Sequence, residues 1–135
     1  LLGTCGTTYP TYRPAEGRVE QDAWDWMIAL WKVADQLMDG RSPADLAAIA
    51  ICSQVNTYVC VDAEGTPLAP AVVWQDVRAE EEAERLNHMV GEERRLRWWP
   101  SGMAISASHM LPQMAHVARH RPDICCRPRI SCSAS

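Results

Sequence analysis

The apolar positions of this chain follow a helical period toward both flanks and a strand-like grouping in the middle. Residues 1–19 are polar and turn-rich, and Tyr9-Pro10-Thr11-Tyr12-Arg13-Pro14 is expected to be extended, because residues before proline avoid the helical region. From Asp22 the pattern turns helical: Trp24, Ile28, Trp31, Ala34 and Leu37 or Met38 form one broad apolar face. Asp22 suits the N-cap, Asp25 favours the positive end of the helix dipole, and Asp39-Gly40 supplies a stop.

Two apolar runs, Leu46–Cys52 and Thr57–Asp62, flank the polar quartet Ser53-Gln54-Val55-Asn56. The alanines of the first run also suit helix, but its flanking signals favour a buried strand. An Asp62-Ala63-Glu64-Gly65 turn and a third run, Ala71-Val72-Val73, predict antiparallel pairing. Polar groups at the mouths of buried strands are where α/β proteins place ligand contacts, so the quartet is the first candidate site. Ala79–Val90 reads as an acidic helix stopped by Gly91, and Glu92–Trp98 as a further turn or two. The Glu80–Glu84 run reads as a solvated helix face. Ser106–His120 predicts a last helix with Met110, Met114 and Val117 on one face. Pro112 should start or bend it near Leu111, and Pro122 should end it.

With 135 residues the chain can hold one domain and one modest core. A net charge of −4, with arginines scattered or paired with acids, argues against a nucleic-acid surface. No apolar run approaches a membrane span, and the first residues lack the features of a signal peptide, so a cytoplasmic setting is expected. Of the 6 cysteines, Cys52 and Cys60 fall in predicted strands as small hydrophobes, while Cys125, Cys126 and Cys132 cluster without a C-x2-C pair. Neither a disulfide framework nor a metal site is expected from them. His116 and His120 share a helix face at i,i+4 but lack the glutamate of an H-E-x-x-H motif, and His88 and His109 add no pattern. Residues 125–135 lose all periodicity and read as a disordered or out-of-frame tail behind a domain of residues 1–124. The abrupt N-terminus, Leu1-Leu2, adds to the expectation of a fragment.

Several separate runs, in order, resemble the FGGY family of carbohydrate kinases. YPTYRPAEGRVEQDAWDW is similar to the family's entry into its first large helix. AIAICSQVNTYVCVDAEGTPLAPAVVWQDVRAEEEAERLN is similar to the strand, substrate loop, hairpin and W-x-D-x-R motif that follow. EERRLRWWPSGMAISASHMLPQMAHVARHRPDI resembles the next helical region, so the likeness runs from about Tyr9 to Ile124. Xylulokinase-like members look nearest, with glycerol kinases more distant.

The resemblance implies an α/β fold, namely part of an actin-like (ribonuclease H-like) ATPase domain incomplete at both ends. It implies phosphoryl transfer from ATP, with Mg2+, to a hydroxyl of a sugar or polyol such as a ketopentose. In such kinases the loop matching Ser53–Asn56 lines the sugar pocket, and the positions after its glutamine vary with the substrate. Here they are Val55 and Asn56, where many xylulokinases have Met-His and glycerol kinases Arg-Glu. Trp74, Asp76 and Arg78 match the second motif, so the candidate substrate-binding set is Gln54, Val55, Asn56, Trp74, Asp76 and Arg78.

Gln54 and Asn56 offer amide donors and acceptors for hydroxyls and Trp74 an apolar wall, although the amides also suit an ordinary turn. Asp76 and Arg78 equally suit a structural pair, with Asp76 as a helix cap. The family's catalytic base lies on a later segment, so no catalytic residue is expected here. Its acidic D-x-G-T turn is only echoed by Leu2-Gly3-Thr4, so ATP and Mg2+ are expected in the full-length enzyme and not on this chain alone. A homodimer is compatible with that enzyme. The alternatives from other classes are a non-catalytic sugar-binding or interaction module and a non-functional truncated product.

Overall fold

The computed structural model describes residues 3–99 and 101–125. The expectations for Leu1-Leu2 and for the tail beyond Cys125 lie outside the described residues. The elements are strand β1 (Glu20–Gln21), helix α1 (Ala23–Met38), a 3-10 turn (Pro43–Asp45), strand β2 (Ala71–Val72), and helices α2 (Glu80–Val90), α3 (Glu92–Trp98), α4 (Met110–His120) and α5 (Pro122–Cys125).

β1 and β2 pair antiparallel, with Glu20 opposite Val72 and Gln21 opposite Ala71. The ribbon is widened by single bridges on each side: Tyr12 pairs with Glu20, and Tyr58 with Val72. Val72 therefore lies between two neighbours, and it is buried together with Ala71 and Val73. The predicted antiparallel pairing is present, but Thr57–Asp62 forms no regular strand and contributes only single bridges, from Tyr58 to Val72 and from Val61 to Pro67. Asp62 N–H donates to the Thr66 carbonyl at 2.9 Å, and Leu68 N–H to that of Cys60 at 2.8 Å. The Asp62 carboxylate closes the turn by accepting from the Glu64 and Thr66 amides.

Helix boundaries follow the chain's punctuation. Asp22 caps α1 by accepting from the Trp24 amide at 2.9 Å. Gly40 and Gly91, just past α1 and α2, adopt φ of +68° and +71°, where an L side chain is strained. α4 begins at Met110, which puts Pro112 in its first turn, where proline removes no intrahelical bond. The core joins Val19, Ala71, Val72 and Val73 of the ribbon to Ala79 and Ala83 beside and within α2 and to Ile105 ahead of α4.

The structure corrects several expectations. Leu46–Cys52 forms no strand: among the described residues it has no ladder partner, and Ile49, Ile51 and Cys52 are exposed. A strand exists only where a neighbour accepts and donates its backbone bonds, and apolar content cannot supply that neighbour. The apolar face of α1 keeps its predicted period but lies open, with Trp24, Ile28 and Trp31 exposed. In α4 the buried positions are Pro112 and Gln113, not the methionines, since Gln113 is the side chain aimed at the ribbon. The Glu80–Glu84 face is not wholly solvated: Glu82 is buried, because α4 packs against this side of α2.

Candidate functional site

The quartet Ser53–Asn56 lies in an irregular loop anchored at both ends. On one side the Gln54 amide donates to the Gln21 side-chain oxygen at 3.1 Å. The same oxygen accepts from the Trp26 indole at 3.0 Å, while the Gln21 amide donates to Thr11 at 2.8 Å. Gln21 thereby fastens the loop to both α1 and the lead-in segment. On the other side the Thr57 hydroxyl accepts from the Trp74 amide at 3.2 Å and donates to the Val55 carbonyl at 3.5 Å. This hydroxyl holds the start of the W-x-D-x-R motif against the loop.

Asn56 adopts φ +52°, a left-handed conformation that asparagine tolerates better than most side chains. It lines an open cavity of about 390 Å³ whose walls include Trp98, Trp99, Met103, Ile105 and Leu111. Gln54 lines a different groove, of about 800 Å³, between the loop and the apolar residues Trp26, Met27 and Leu30 of α1. Val55 and Trp74 are exposed. The structure thus brings Trp74 to the loop through its backbone but parts Gln54 and Asn56 between two cavities. Trp98 and Trp99 belong beside Asn56. An isolated aromatic pair carries no spacing signal that would mark it in the sequence.

Asp76 and Arg78 sit behind the loop in a closed ion pair. Asp76 is 0% exposed and its two oxygens accept four bonds. The Val19 amide donates at 2.6 Å, the Arg78 amide at 3.0 Å, and the Arg78 guanidinium at 2.8 Å from Nε and 2.7 Å from Nη2. Arg78 also donates to Glu20 on β1 at 2.6 Å. Burial alone would raise the Asp76 pKa, but the bonds from Arg78 and Val19 outweigh it and hold the carboxyl below its usual range. Arg78 is likewise pushed further up: burial would lower it, and its bonds to Asp76 and Glu20 prevail. With every lone-pair position of Asp76 occupied, this carboxylate is poorly placed to accept a substrate proton.

Two further residues frame the site. The Gln113 amide donates to the carbonyls of Asp76 at 3.2 Å and Ala107 at 2.9 Å, and its oxygen accepts from the Tyr58 hydroxyl at 3.3 Å. Burial raises the Tyr58 pKa to about 12. The Asn87 side chain reads the Ile105 backbone as a strand would, accepting from its N–H at 2.9 Å and donating to its C=O at 2.7 Å. This bond pair hangs the cavity-lining segment before α4 on α2. Neither residue stood out in sequence, because an amide mid-helix has no diagnostic neighbour.

A model of the FGGY family of carbohydrate kinases, N-terminal domain, matches residues 2–131. This chain belongs to that family. A xylulose kinase of Staphylococcus epidermidis RP62A is 30% identical over 126 residues, which cover 92% of this chain and 24% of that protein. A glycerol kinase of Herminiimonas arsenicoxydans is 42% identical over 84 residues, 58% of this chain and 16% of that relative. The crystal structure titled as a xyloylose kinase from Brucella ovis superposes with a TM-score of 0.74 at 27% identity, over 93% of this chain and 26% of that one. The fold is accordingly part of the FGGY kinases' actin-like, ribonuclease H-like α/β domain. The chain spans about a quarter of the length of these xylulose kinase relatives, 24% and 26%.

Asp76 is saturated by Arg78 and Val19, so its carboxylate offers no free oxygen. No helix among the described residues is long and apolar enough to cross a membrane.

Proposed function

We propose that this chain is the substrate-loop portion of a cytoplasmic FGGY kinase that phosphorylates a hydroxyl of a sugar, a ketopentose or related polyol. The observation supporting this reading is the Thr57 bridge between the loop and Trp74, with Asn56 turned left-handed at the rim of a cavity walled by Trp98 and Trp99. Asn56 would select hydroxyls by hydrogen bonding, which discriminates strongly because an analogue without the hydroxyl leaves a polar group unpaired. Val55 and Trp74 would supply apolar contact beside it, and Gln54 would hold the loop through Gln21. Asp76 and Arg78 would act by positioning this wall. The base and the ATP and Mg2+ sites would lie in the parts of the relatives that this chain does not match, so the chain alone would be inactive.

The test is Asn56→Ala in an intact kinase containing this segment, assayed over a panel of ketopentoses and polyols. The expected result is a raised KM or lowered kcat for the sugar, by about tenfold or more, with little change in KM for ATP. An equal effect on both substrates, or none on either, overturns the pocket assignment.

A further inference from the structure

The helix pair behind the ion pair holds a group of side chains that the kinase reading does not use. Glu82, in the first turn of α2, faces His116 and His120, in the last turns of α4. The Glu82 Oε2–His116 Nδ1 distance is 3.3 Å, and the Glu82 Oε1–His120 Nε2 distance is 3.6 Å. The histidine rings are 4.3 Å apart, and one ligand atom from each of the three residues lies within 4.8 Å of the others. Glu82 is 1% exposed, and its Oε1 accepts no hydrogen bond.

We propose that Glu82, His116 and His120 form a binding site for a divalent late transition-metal ion of the zinc class. The i,i+4 spacing puts both imidazoles on one face of α4, as in helical metal motifs, and the carboxylate that the motif lacks in sequence comes from α2. A tetrahedral zinc ion with bonds of about 2.0–2.1 Å separates its ligand atoms by roughly 3.3–3.4 Å, near the two carboxylate–imidazole distances and inside the 4.8 Å that bounds the whole group. Two imidazoles and a carboxylate are a known ligand set for this class of ion. A buried carboxylate oxygen without a hydrogen bond is costly, and a cation bound at this point removes that cost. The C-terminal end of α4 also favours positive charge through its dipole.

The competing cation is Arg119, whose Nη1 lies 3.5 Å from Glu82 Oε1. It is 54% exposed and already reaches Glu81, itself 80% exposed, at 3.4 Å. Turning wholly onto Glu81 gives up the contact with the buried carboxylate, and the incoming ion replaces it. The cavity beside the group, about 590 Å³, also carries Glu16 and Glu80, and the arginine that lines it, Arg78, is held by Asp76 and Glu20. The open side leaves space for water as a further ligand. A bound ion would fasten the end of α4 to the start of α2, the helices that carry Gln113 and Asn87.

The test is calorimetric titration of Zn2+ into chelator-treated protein with its cysteines alkylated, repeated with Co2+ and followed by visible absorption. One-to-one binding at micromolar or tighter Kd is expected, with a cobalt spectrum of nitrogen and oxygen ligation. His120→Ala, at a half-exposed position that should not impair folding, is expected to weaken binding at least tenfold, and Glu82→Gln likewise, while His88→Ala leaves it unchanged. No saturable binding by the alkylated protein, or binding that His120→Ala and Glu82→Gln leave intact, overturns the site.

Discussion

Arg78→Ala is the perturbation that most directly tests how the ribbon and the loop are held. The substitution removes two of the four bonds to the Asp76 carboxylate together with its countercharge. It leaves the Val19 and Arg78 backbone amides to solvate a group with 0% exposure. Glu20 loses its partner as well, but reaches water at 17% side-chain exposure and adds less. Coulomb's law at about 4 Å and an effective dielectric near 20 gives about 4 kcal/mol, and breaking buried pairs elsewhere costs about 3–5 kcal/mol. A loss near 3 kcal/mol is therefore expected, a large share of the roughly 5–15 kcal/mol that stabilises a typical domain.

The assay is urea unfolding followed by circular dichroism at neutral pH and near pH 3. In the wild type the folded Asp76 pKa lies below the unfolded value. Its contribution is complete above the unfolded pKa of about 3.9 and is lost as pH falls through the lower folded value. In Arg78→Ala the buried carboxylate has lost its countercharge, so protonation relieves it. The gap between the two proteins should therefore narrow in acid. Arg78→Lys keeps the charge without the two-pronged fork and should recover only part of the loss. A gap below about 1 kcal/mol at neutral pH, the value of a solvent-exposed pair, would refute the reasoning, as would a gap that does not change with pH.

Other expectations follow from single residues. Asn87→Ala removes both side-chain bonds to the Ile105 backbone and should cost about 1–3 kcal/mol in urea unfolding, with faster hydrogen exchange at Ile105. Asn87→Asp, which keeps the acceptor and loses the donor, should fall between. Ultraviolet titration should resolve Tyr58 near pH 12, above the usual tyrosine midpoint of about 10. Because the folded phenol holds its proton longer, its contribution is present below pH 10 and is lost as pH rises through about 12. A Tyr58 midpoint at the ordinary value would contradict its burial.

Much of the local structure was legible before any tertiary contact was known. Asp22 and Gly40 bound α1, Gly91 ends α2, and Pro112 sits in the first turn of α4, all near the predicted positions. Each signal is local: a cap, a turn residue and a proline act within a turn of themselves. The order of the loop, hairpin and W-x-D-x-R motifs was equally readable, and it carried the family resemblance that the N-terminal domain model supports. The run Leu46–Cys52 misled, because strand formation depends on a partner elsewhere in the fold.

The candidate site divides along the same line. Sequence alone singled out Gln54, Asn56 and Trp74 as chemically capable and left Asp76 and Arg78 between substrate contact and a structural pair. Only the tertiary structure closed that pair onto Val19 and Glu20, which lie 57 and 58 positions from Asp76 and Arg78. It also placed Trp98 and Trp99 at the cavity of Asn56 and brought Glu82 to two histidines 34 or more residues away. Periodicity and caps are written within one turn of helix or one hairpin. Burial, ion pairing and ligand geometry arise from which faces pack together, and that is decided by contacts far apart along the chain.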